Sequence, residues 1–247
     1  VGVAHQFSDN VALNITAYYR DITGLIGTHY YPPFVDGRYT EYTLYVNEDY
    51  ANNKGVELTL DVRPTRYFSG GLTYTYSVVK GSASSETEQY PGTQESTQLY
   101  YLEWDRTHIF NASGTYTIPK DEGPSVFGST IFDNMDLSLI LKASSGAPYT
   151  PSGRDIGFVE KNSLRQPGLY NIDLMIGKEF EFTNNLRLRL FAEILNLTDH
   201  KNVLYVYGDT GDPDYTTVGN HSTEYMQDPS NYGPPRSVRL GFTMRFN

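Results

Sequence analysis

The sequence predicts an all-β fold, a transmembrane antiparallel up-and-down β-barrel of which about nine strands are present. Three observations predict it. Apolar and polar residues alternate with a period of two along nine stretches, and helical periodicity is almost absent. Short and long segments join the stretches in strict alternation. The face opposite the apolar one is charged more than the inside of a soluble barrel allows, but suits a wet or filled lumen.

Residues 1–8 read as a strand in progress, with no basic leader and no long apolar core. In 11–22, Val11, Leu13, Ile15, Ala17 and Tyr19 share one face, and Asn14, Thr16 and Arg20 lie on the other. Val56, Leu58, Leu60 and Val62 oppose Glu57, Thr59, Asp61 and Arg63 in the third stretch. The fourth sets Leu72, Tyr74, Tyr76 and Val78 against Thr73, Thr75 and Ser77. Phe110, Ala112, Gly114, Tyr116 and Ile118 oppose Asn111, Ser113, Thr115 and Thr117 in the fifth. Leu137, Leu139 and Leu141 mark the sixth, and Tyr170, Ile172, Leu174, Ile176, Phe180 and Phe182 the seventh. The eighth places Leu186, Leu188, Leu190, Ala192 and Ile194 against Arg187, Arg189 and Glu193. The last, "SVRLGFTMRFN", alternates Val238, Leu240, Phe242, Met244 and Phe246 with Arg239, Gly241, Thr243 and Arg245. On this pattern Leu190 faces lipid at mid-membrane depth and Thr115 faces the lumen.

Short turns are expected at 8–10, 64–67 and 183–185, with a moderate one at 119–133. Long segments are expected at 23–53, 81–103, 147–167 and 198–235. Outer-membrane barrels sort their connections this way, with short periplasmic turns and long extracellular loops. An antiparallel sandwich with its polar face in solvent is the competing fold, and it has no reason for such sorting.

Composition narrows the function. A net charge of −10 argues against a nucleic-acid partner. Without cysteine there is no disulfide framework and no thiolate metal site. No run of about 18 apolar residues offers a membrane helix. The chain carries no phosphate-binding glycine loop, no zinc-protease motif and no nucleophile elbow, so no cofactor and no enzymatic activity are expected.

The 22 tyrosines against one tryptophan are the compositional signature, since amphipathic rings suit surfaces that are apolar at one end and wet at the other. Tyr100, Tyr101, Tyr149 and Tyr205 adjoin strand ends and fit an aromatic girdle. Tyr31, Tyr90, Tyr225 and Tyr232 fall within the long segments and are the candidate ligand contacts. Pro32, Pro33, Tyr30, Tyr39 and Trp104 accompany them.

Two long segments are acidic. One holds Glu86, Glu88, Glu95 and Glu103; the other holds Asp199, Asp209, Asp212, Asp214, Glu224 and Asp228 against Lys201. Such a mouth favours neutral or cationic ligands, or serves only to solvate the loops. Asp209, Asp212 and Asp214 are a weak metal candidate, because hard carboxylates stand close in sequence but lack the calcium-loop spacing. In Asp105–His108, "DRTH", a proton relay competes with a strand start at the extracellular rim, and the second is favoured because no nucleophile adjoins.

Five stretches resemble the C-terminal half of the barrel in TonB-dependent outer-membrane receptors. They are "NNKGVELTLDVRP", "DRTHIFNASGTYTIP", "GAPYTPSG", "LRLRLFAEILNLTDHKN" and "GPPRSVRLGFTMRFN". Their order and spacing are most similar to receptors with a carboxypeptidase-regulatory-like domain before the plug. The resemblance implies a barrel of about 22 strands around a plug, of which residues 1–247 are the C-terminal section, with the plug and the first strands absent. It implies energy-dependent uptake of a scarce nutrient: an iron chelate, cobalamin, an oligosaccharide or a peptide. The implied partners are outer-membrane lipid and lipopolysaccharide, the remaining strands and plug, the TonB complex acting through that plug, and a surface lipoprotein. The implied location is the bacterial outer membrane. The ending also resembles a barrel-assembly signal, except that Asn247 follows Phe246. Two other functions stay open: an outer-membrane barrel with a structural, adhesive or secretion-related role, and a soluble carbohydrate-binding sandwich.

Overall fold

The computed structural model describes residues 1–31, 42–85, 98–124, 131–153, 159–183 and 186–246. Pro32, Pro33, Tyr39, Glu86, Glu88, Tyr90, Glu95 and Asn247 lie outside the described residues, as does the side chain of Tyr30. Among these residues twelve strands form, in chain order: β1 (Gly2–Ser8), β2 (Val11–Tyr31), β3 (Tyr42–Val62), β4 (Phe68–Gly81), β5 (Tyr100–Tyr101), β6 (His108–Ile118), β7 (Met135–Ser144), β8 (Pro148–Tyr149), β9 (Leu164–Arg165), β10 (Leu169–Thr183), β11 (Leu186–Leu195) and β12 (Ser237–Phe246). The long ones make one antiparallel sheet in the order β1-β2-β3-β4-β6-β7-β10-β11-β12, each beside its neighbour in sequence. β5 pairs with β4 off this path, and β8 and β9 form a separate small ribbon. The sheet is not closed; β1 and β12 are its two edges.

Register turns the alternation into two continuous surfaces. Leu13, Leu60, Leu72, Ala112, Leu141 and Ile172 stand side by side across six strands. The adjacent row on the other face is Asn14, Thr59, Thr73, Asn111, Lys142 and Asn171. One face is apolar from edge to edge and the other polar, as the period of two requires. Nothing within the described residues covers the apolar face. Among the described residues the buried hydrophobic ones are Ala51, Ala83, Tyr100, Leu102 and Val206, all outside the two-faced part of the sheet. Leu240 is 82% exposed and Phe242 68%. A soluble sandwich would bury these side chains, so the fold is that of a lipid-facing sheet.

Aromatic residues mark the two water boundaries of the apolar face. Tyr19, Tyr76 and Tyr170 stand toward the long segments, and Phe68, Tyr116 and Phe180 toward the short turns. Ten residue steps separate Tyr170 from Phe180 along β10. At ~3.3 Å per step and a tilt of ~40°, that is ~25 Å of membrane, the height of the apolar band in outer-membrane barrels.

Two expectations need correction. Of the expected long segment 23–53, the described residues 23–31 and 42–53 are strand, since β2 and β3 each run 21 residues and project as a ribbon beyond the Tyr19 boundary. Their pairing continues past a register shift between Thr23 and Ile26, where Gly24 has φ +72°. That left-handed conformation lets the ribbon bulge as it leaves the membrane region. Leu190 does face outward, but at less depth than expected. It pairs with Lys178, whose ammonium reaches Asp133 Oδ1 at 2.5 Å beside the short-turn end. Leu139, in one row with Leu174, Ile194 and Val238, marks the middle.

The polar face is cross-linked by side chains. Arg189 on β11 reaches Asp136 on β7 at 2.7 Å, across the intervening β10. The pair passes over Gly177, where a Cβ would stand 2.5 Å from the guanidinium and 2.7 Å from the carboxylate. Thr115 Oγ1 and Ser138 Oγ lie 2.9 Å apart, and Arg239 pairs with Glu193 at 3.4 Å.

Leu139→Arg is expected to lower folding stability in lipid by ~2–4 kcal/mol, the cost of a guanidinium near the bilayer midplane. Thr115→Arg, on the polar face nearby, should cost much less. Denaturant titration of the vesicle-embedded receptor measures both, and equal losses contradict the assigned faces.

Candidate functional site

The described parts of the long segments gather at one end of the sheet and are tied to one another. Residues 102–105 make a tight turn in which Asp105 N donates to Leu102 O at 2.8 Å. Leu102 and Asp105 are the wholly buried side chains among the described residues. Leu102 packs on Ala51 and Tyr100, with Leu25 and Val79 at the margin. Asp105 accepts from Val79 N at 2.7 Å, Thr107 Oγ1 at 3.0 Å and Arg165 Nη2 at 2.5 Å. Arg165 also donates to Gly146 O and lies 4.8 Å from the Tyr101 ring. The "DRTH" stretch therefore starts with an anchor: Asp105 clamps β4 to β9, and His108 meets the Tyr74 hydroxyl at 2.8 Å on the outward face. Tyr100 is corrected as well. It is 4% exposed and donates to Ser82 O at 2.7 Å, so it belongs to the buried cluster rather than a girdle.

The bonds continue along the rim. Asn162 Nδ2 donates to Tyr101 O at 2.7 Å, and Ser152 N to Gly208 O at 2.9 Å, so the described residues 98–107, 145–153, 159–168 and 196–236 hold together. At the base of the last segment, buried Asn196 has φ +52° and donates to His200 O and Pro234 O, while its own amide bonds Asp173. Asn202 brackets Tyr170 by donating to its carbonyl and accepting from its amide, both at 2.8 Å. Short polar side chains replace sheet hydrogen bonds where the chain is irregular.

Tyr31 ends β2 and stacks on Tyr42 with ring centres 5.0 Å apart. Tyr225 and Tyr232 sit far along the sheet order, between β11 and β12. Tyr225 lies in α1 (Thr223–Met226), 60% exposed and stacked on His221 at 4.3 Å. Tyr232 donates to Asp214 Oδ2 at 2.7 Å and lies 5.6 Å from the Lys201 ammonium. Tyr90 lies outside the described residues. The tyrosine candidates thus occupy two places, not one.

The three aspartates do not converge. Asp209 accepts from Thr216 Oγ1, Thr217 Oγ1 and Thr217 N. Asp212 caps the amide of Asp214, and Asp214 takes the Tyr232 hydroxyl. Among the described residues no cluster of His, Cys, Asp and Glu is placed to hold a metal ion. Burial pushes the Asp209 carboxyl up, but the Thr217 and Thr216 donors outweigh it and hold it at about 2. The Asp214 carboxylate, then burial, push the Tyr232 phenol up to about 12.

Two cavities escape sequence reasoning. A cavity of about 1030 Å³ opens on the polar face beneath 202–204 and 233–236. Its wall carries Arg106, Lys142, Arg236 and Arg239 against Asp173. Arg236 and Arg239 have carboxylate partners in Asp199 and Glu193. The second, about 640 Å³, lies between the β2–β3 ribbon and the 82–85 and 102–104 turns, lined by Leu25, Ile26, Tyr45, Asp49 and Trp104. Neither could be read from spacing, because each joins residues far apart in the chain.

A single two-faced meander with an apolar outside, a polar inside and a folded rim at one end is a section of an outer-membrane β-barrel. The chain belongs to the TonB dependent receptor-like β-barrel family, whose model matches residues 1–197, and it is a protein of the bacterial outer membrane. No curated protein matches it in sequence. Among solved structures it is similar to the outer membrane transporter YddB from Escherichia coli, at TM-score 0.63 and 14% identity over 99% of this chain and 31% of that one. FpvA of Pseudomonas aeruginosa, bound to a heterologous pyoverdine, gives TM-score 0.57 and 12% identity over 99% and 26%. The FrpB iron transporter of Neisseria meningitidis gives 0.55 and 15% over 99% and 30%. The chain thus spans less than a third of the structures it resembles. These likenesses concern the fold.

Two expectations test the rim. Asp105→Ala takes the carboxylate from the Arg165 guanidinium and the acceptor from the Val79 amide, and should cost ~3–5 kcal/mol of stability in denaturant titration. A phenol whose pKa is raised on folding stabilises fully below its ordinary value near 10, and that contribution is lost as pH climbs through about 12. Subtracting the alkaline absorbance titration of Tyr232→Phe from that of the wild type isolates this phenol. Ionisation near pH 10 contradicts the Tyr232–Asp214 contact.

Proposed function

We propose that this chain is the C-terminal section of the barrel wall, and part of the extracellular rim, of a receptor for energy-dependent nutrient uptake. The remaining strands, and a plug engaged by the TonB complex, would come from polypeptide outside residues 1–247. The observation that carries the reading is the open recess on the polar face, bordered by the wall and by 202–204 and 233–236. A barrel whose task is only to anchor or to adhere needs no such recess under a folded loop. Family membership and the incomplete sheet also support the reading. Asp105 and His108 of the DRTH stretch are engaged in contacts that hold the rim.

The ligand class is a scarce nutrient, with iron chelates, cobalamin, oligosaccharides and peptides as the candidates. Tyr225, exposed on α1, and Tyr31, on the ribbon, are proposed as rim contacts. Lipopolysaccharide would meet the Tyr19 and Tyr76 boundary. A surface lipoprotein would dock over the rim. The structural or adhesive alternative makes the opposite demand, that the rim be dispensable for growth on any nutrient.

The test is genetic. Disrupting the gene should impair growth when one of those four nutrient classes is limiting. The wild-type gene should restore it, and a version lacking 209–227 should assemble in the membrane but not restore growth. Collapse of the proton-motive force should abolish accumulation. Unimpaired growth on every limiting nutrient favours the structural role.

A further inference from the structure

The outward face of the sheet is nearly free of charge, which makes its exceptions informative. Among the paired outward positions from β2 to β12, below the bulge at Gly24, the formally charged residues are Asp21, Lys54, Lys80 and Lys178. Lys178 stands at the short-turn end and is paired with Asp133. Lys54 and Lys80 stand at the long-segment end, on adjacent strands. Lys54 on β3 lies opposite Tyr19 and Val78, and Lys80 is two residues beyond Val78 on β4. The two lysines are therefore diagonal neighbours on one face, close enough for side chains of this length to reach a common group. Tyr19 stands beside Lys54, and Tyr76 is two residues before Val78, so the pair sits at the upper edge of the aromatic boundary.

Neither ammonium is neutralised. Lys54 is exposed and has no carboxylate partner among the described residues. Lys80 lies over the Tyr101 ring at 4.6 Å, a contact that holds the ammonium without removing its charge. Arg165 lies over the same ring at 4.8 Å, its own charge answered by Asp105. Asp21 stands diagonal to Lys54 on β2, and its carboxylate takes the Tyr50 hydroxyl at 2.5 Å and the Asn52 amide at 2.6 Å. Two lysines against that single carboxylate leave this edge positive, although the chain as a whole carries −10. A lysine at the margin of an apolar band lays its stem along lipid and turns its ammonium to the headgroups, where the anionic groups are phosphates. The long segments mark this margin as the outer one. The outer leaflet of a bacterial outer membrane is built from lipopolysaccharide, whose lipid A carries its phosphates on a sugar core.

We propose that Lys54 and Lys80 bind a phosphate of lipid A at the seam of β3 and β4, with Tyr19 and Tyr76 at the level of its upper acyl chains. The proposal rests on the receptor reading for the orientation of the sheet, and it turns a general contact with lipopolysaccharide into a defined site.

Native mass spectrometry of the detergent-solubilised full receptor tests it. The probes are bisphosphorylated lipid A, the same lipid stripped of its phosphates, and phosphatidylglycerol. Bisphosphorylated lipid A should bind about tenfold more tightly than either of the others. Lys54→Gln and Lys80→Gln should each weaken its binding by about fivefold, and Lys54→Arg should retain it. Lys120→Gln, which removes a lysine at the short-turn end, should leave lipid A binding unchanged. Because Lys80 also holds Tyr101, the exposed Lys54 supplies the variant free of packing effects. Equal binding of the stripped lipid, or a Lys54→Gln receptor that binds lipid A as the wild type does, overturns the proposal. Equal binding of phosphatidylglycerol overturns lipid A as the occupant. Heat-modifiable gel mobility on the same sample separates the failures. A folded barrel that ignores lipid A overturns the phosphate site alone; a chain that stays soluble without detergent overturns the receptor reading itself.

Discussion

Every backbone amide that enters lipid must find its partner within the protein, because the hydrocarbon offers none. The rest of this structure follows from that constraint. Nine long strands pair with sequence neighbours, and among the described residues β1 and β12 are the edges of the sheet. Pairing fixes register, and register fixes which side chains meet the lipid. Hydrophobic burial then works in reverse of a soluble domain. Leu13, Leu60, Leu72 and Leu141 lie in a row on the outside, while Thr59, Thr73, Asn111 and Lys142 lie inside. The chain's own buried cluster, centred on Leu102, holds a turn at the rim and does not found the fold.

Where the chain leaves the membrane the constraint changes. Water can satisfy amides, so irregular segments become affordable, yet those described here are not loose. Asn162, Asn196, Asn202 and Asn231 each bond backbone groups of another segment or turn, and Asp105 bonds three donors at once. Such bonds supply shape rather than large net stability, since each replaces a bond to water. Shape is what a rim needs if it is to hold cavities open. The buried Asp105–Arg165 pair follows the same logic. Its removal costs more than its formation yields, so it serves as a specific clamp.

The membrane part was legible in the sequence because a period of two needs only local reading. Leu186 to Ile194 against Arg187 to Glu193 gives the face of β11 without any knowledge of its neighbours. The ribbon of β2 and β3 was not legible. Residues 22–31 and 42–53 mix Gly, Asn and Asp with apolar residues, have no lipid to satisfy on either side, and cross a bulge at Gly24. The depth of Leu190 is not legible in the sequence for a related reason. Position along a strand says nothing about height until register sets Leu190 beside Lys178. The rim was the least legible. Tyr100 looked like a girdle residue because it adjoins a strand, but its fate was decided by Leu102 and Ala51. Trp104 carried the available signal: an exposed ring between residues that would be buried, in the sequence "LEWD".

Charge is segregated along the same axis. The acidic residues that give the chain its net −10 crowd the long segments. The cavity on the polar face is instead basic, and among its cations Arg236 and Arg239 answer to Asp199 and Glu193 while Arg106 donates to the carbonyls of Glu103 and Asp105. Asp173 lines the same cavity and Asp105 adjoins Arg106, so carboxylates offset part of this charge. The acidic long segments and the more basic wall therefore present opposite fields to a charged ligand, and the group that the rim attracts is not the one that the wall attracts.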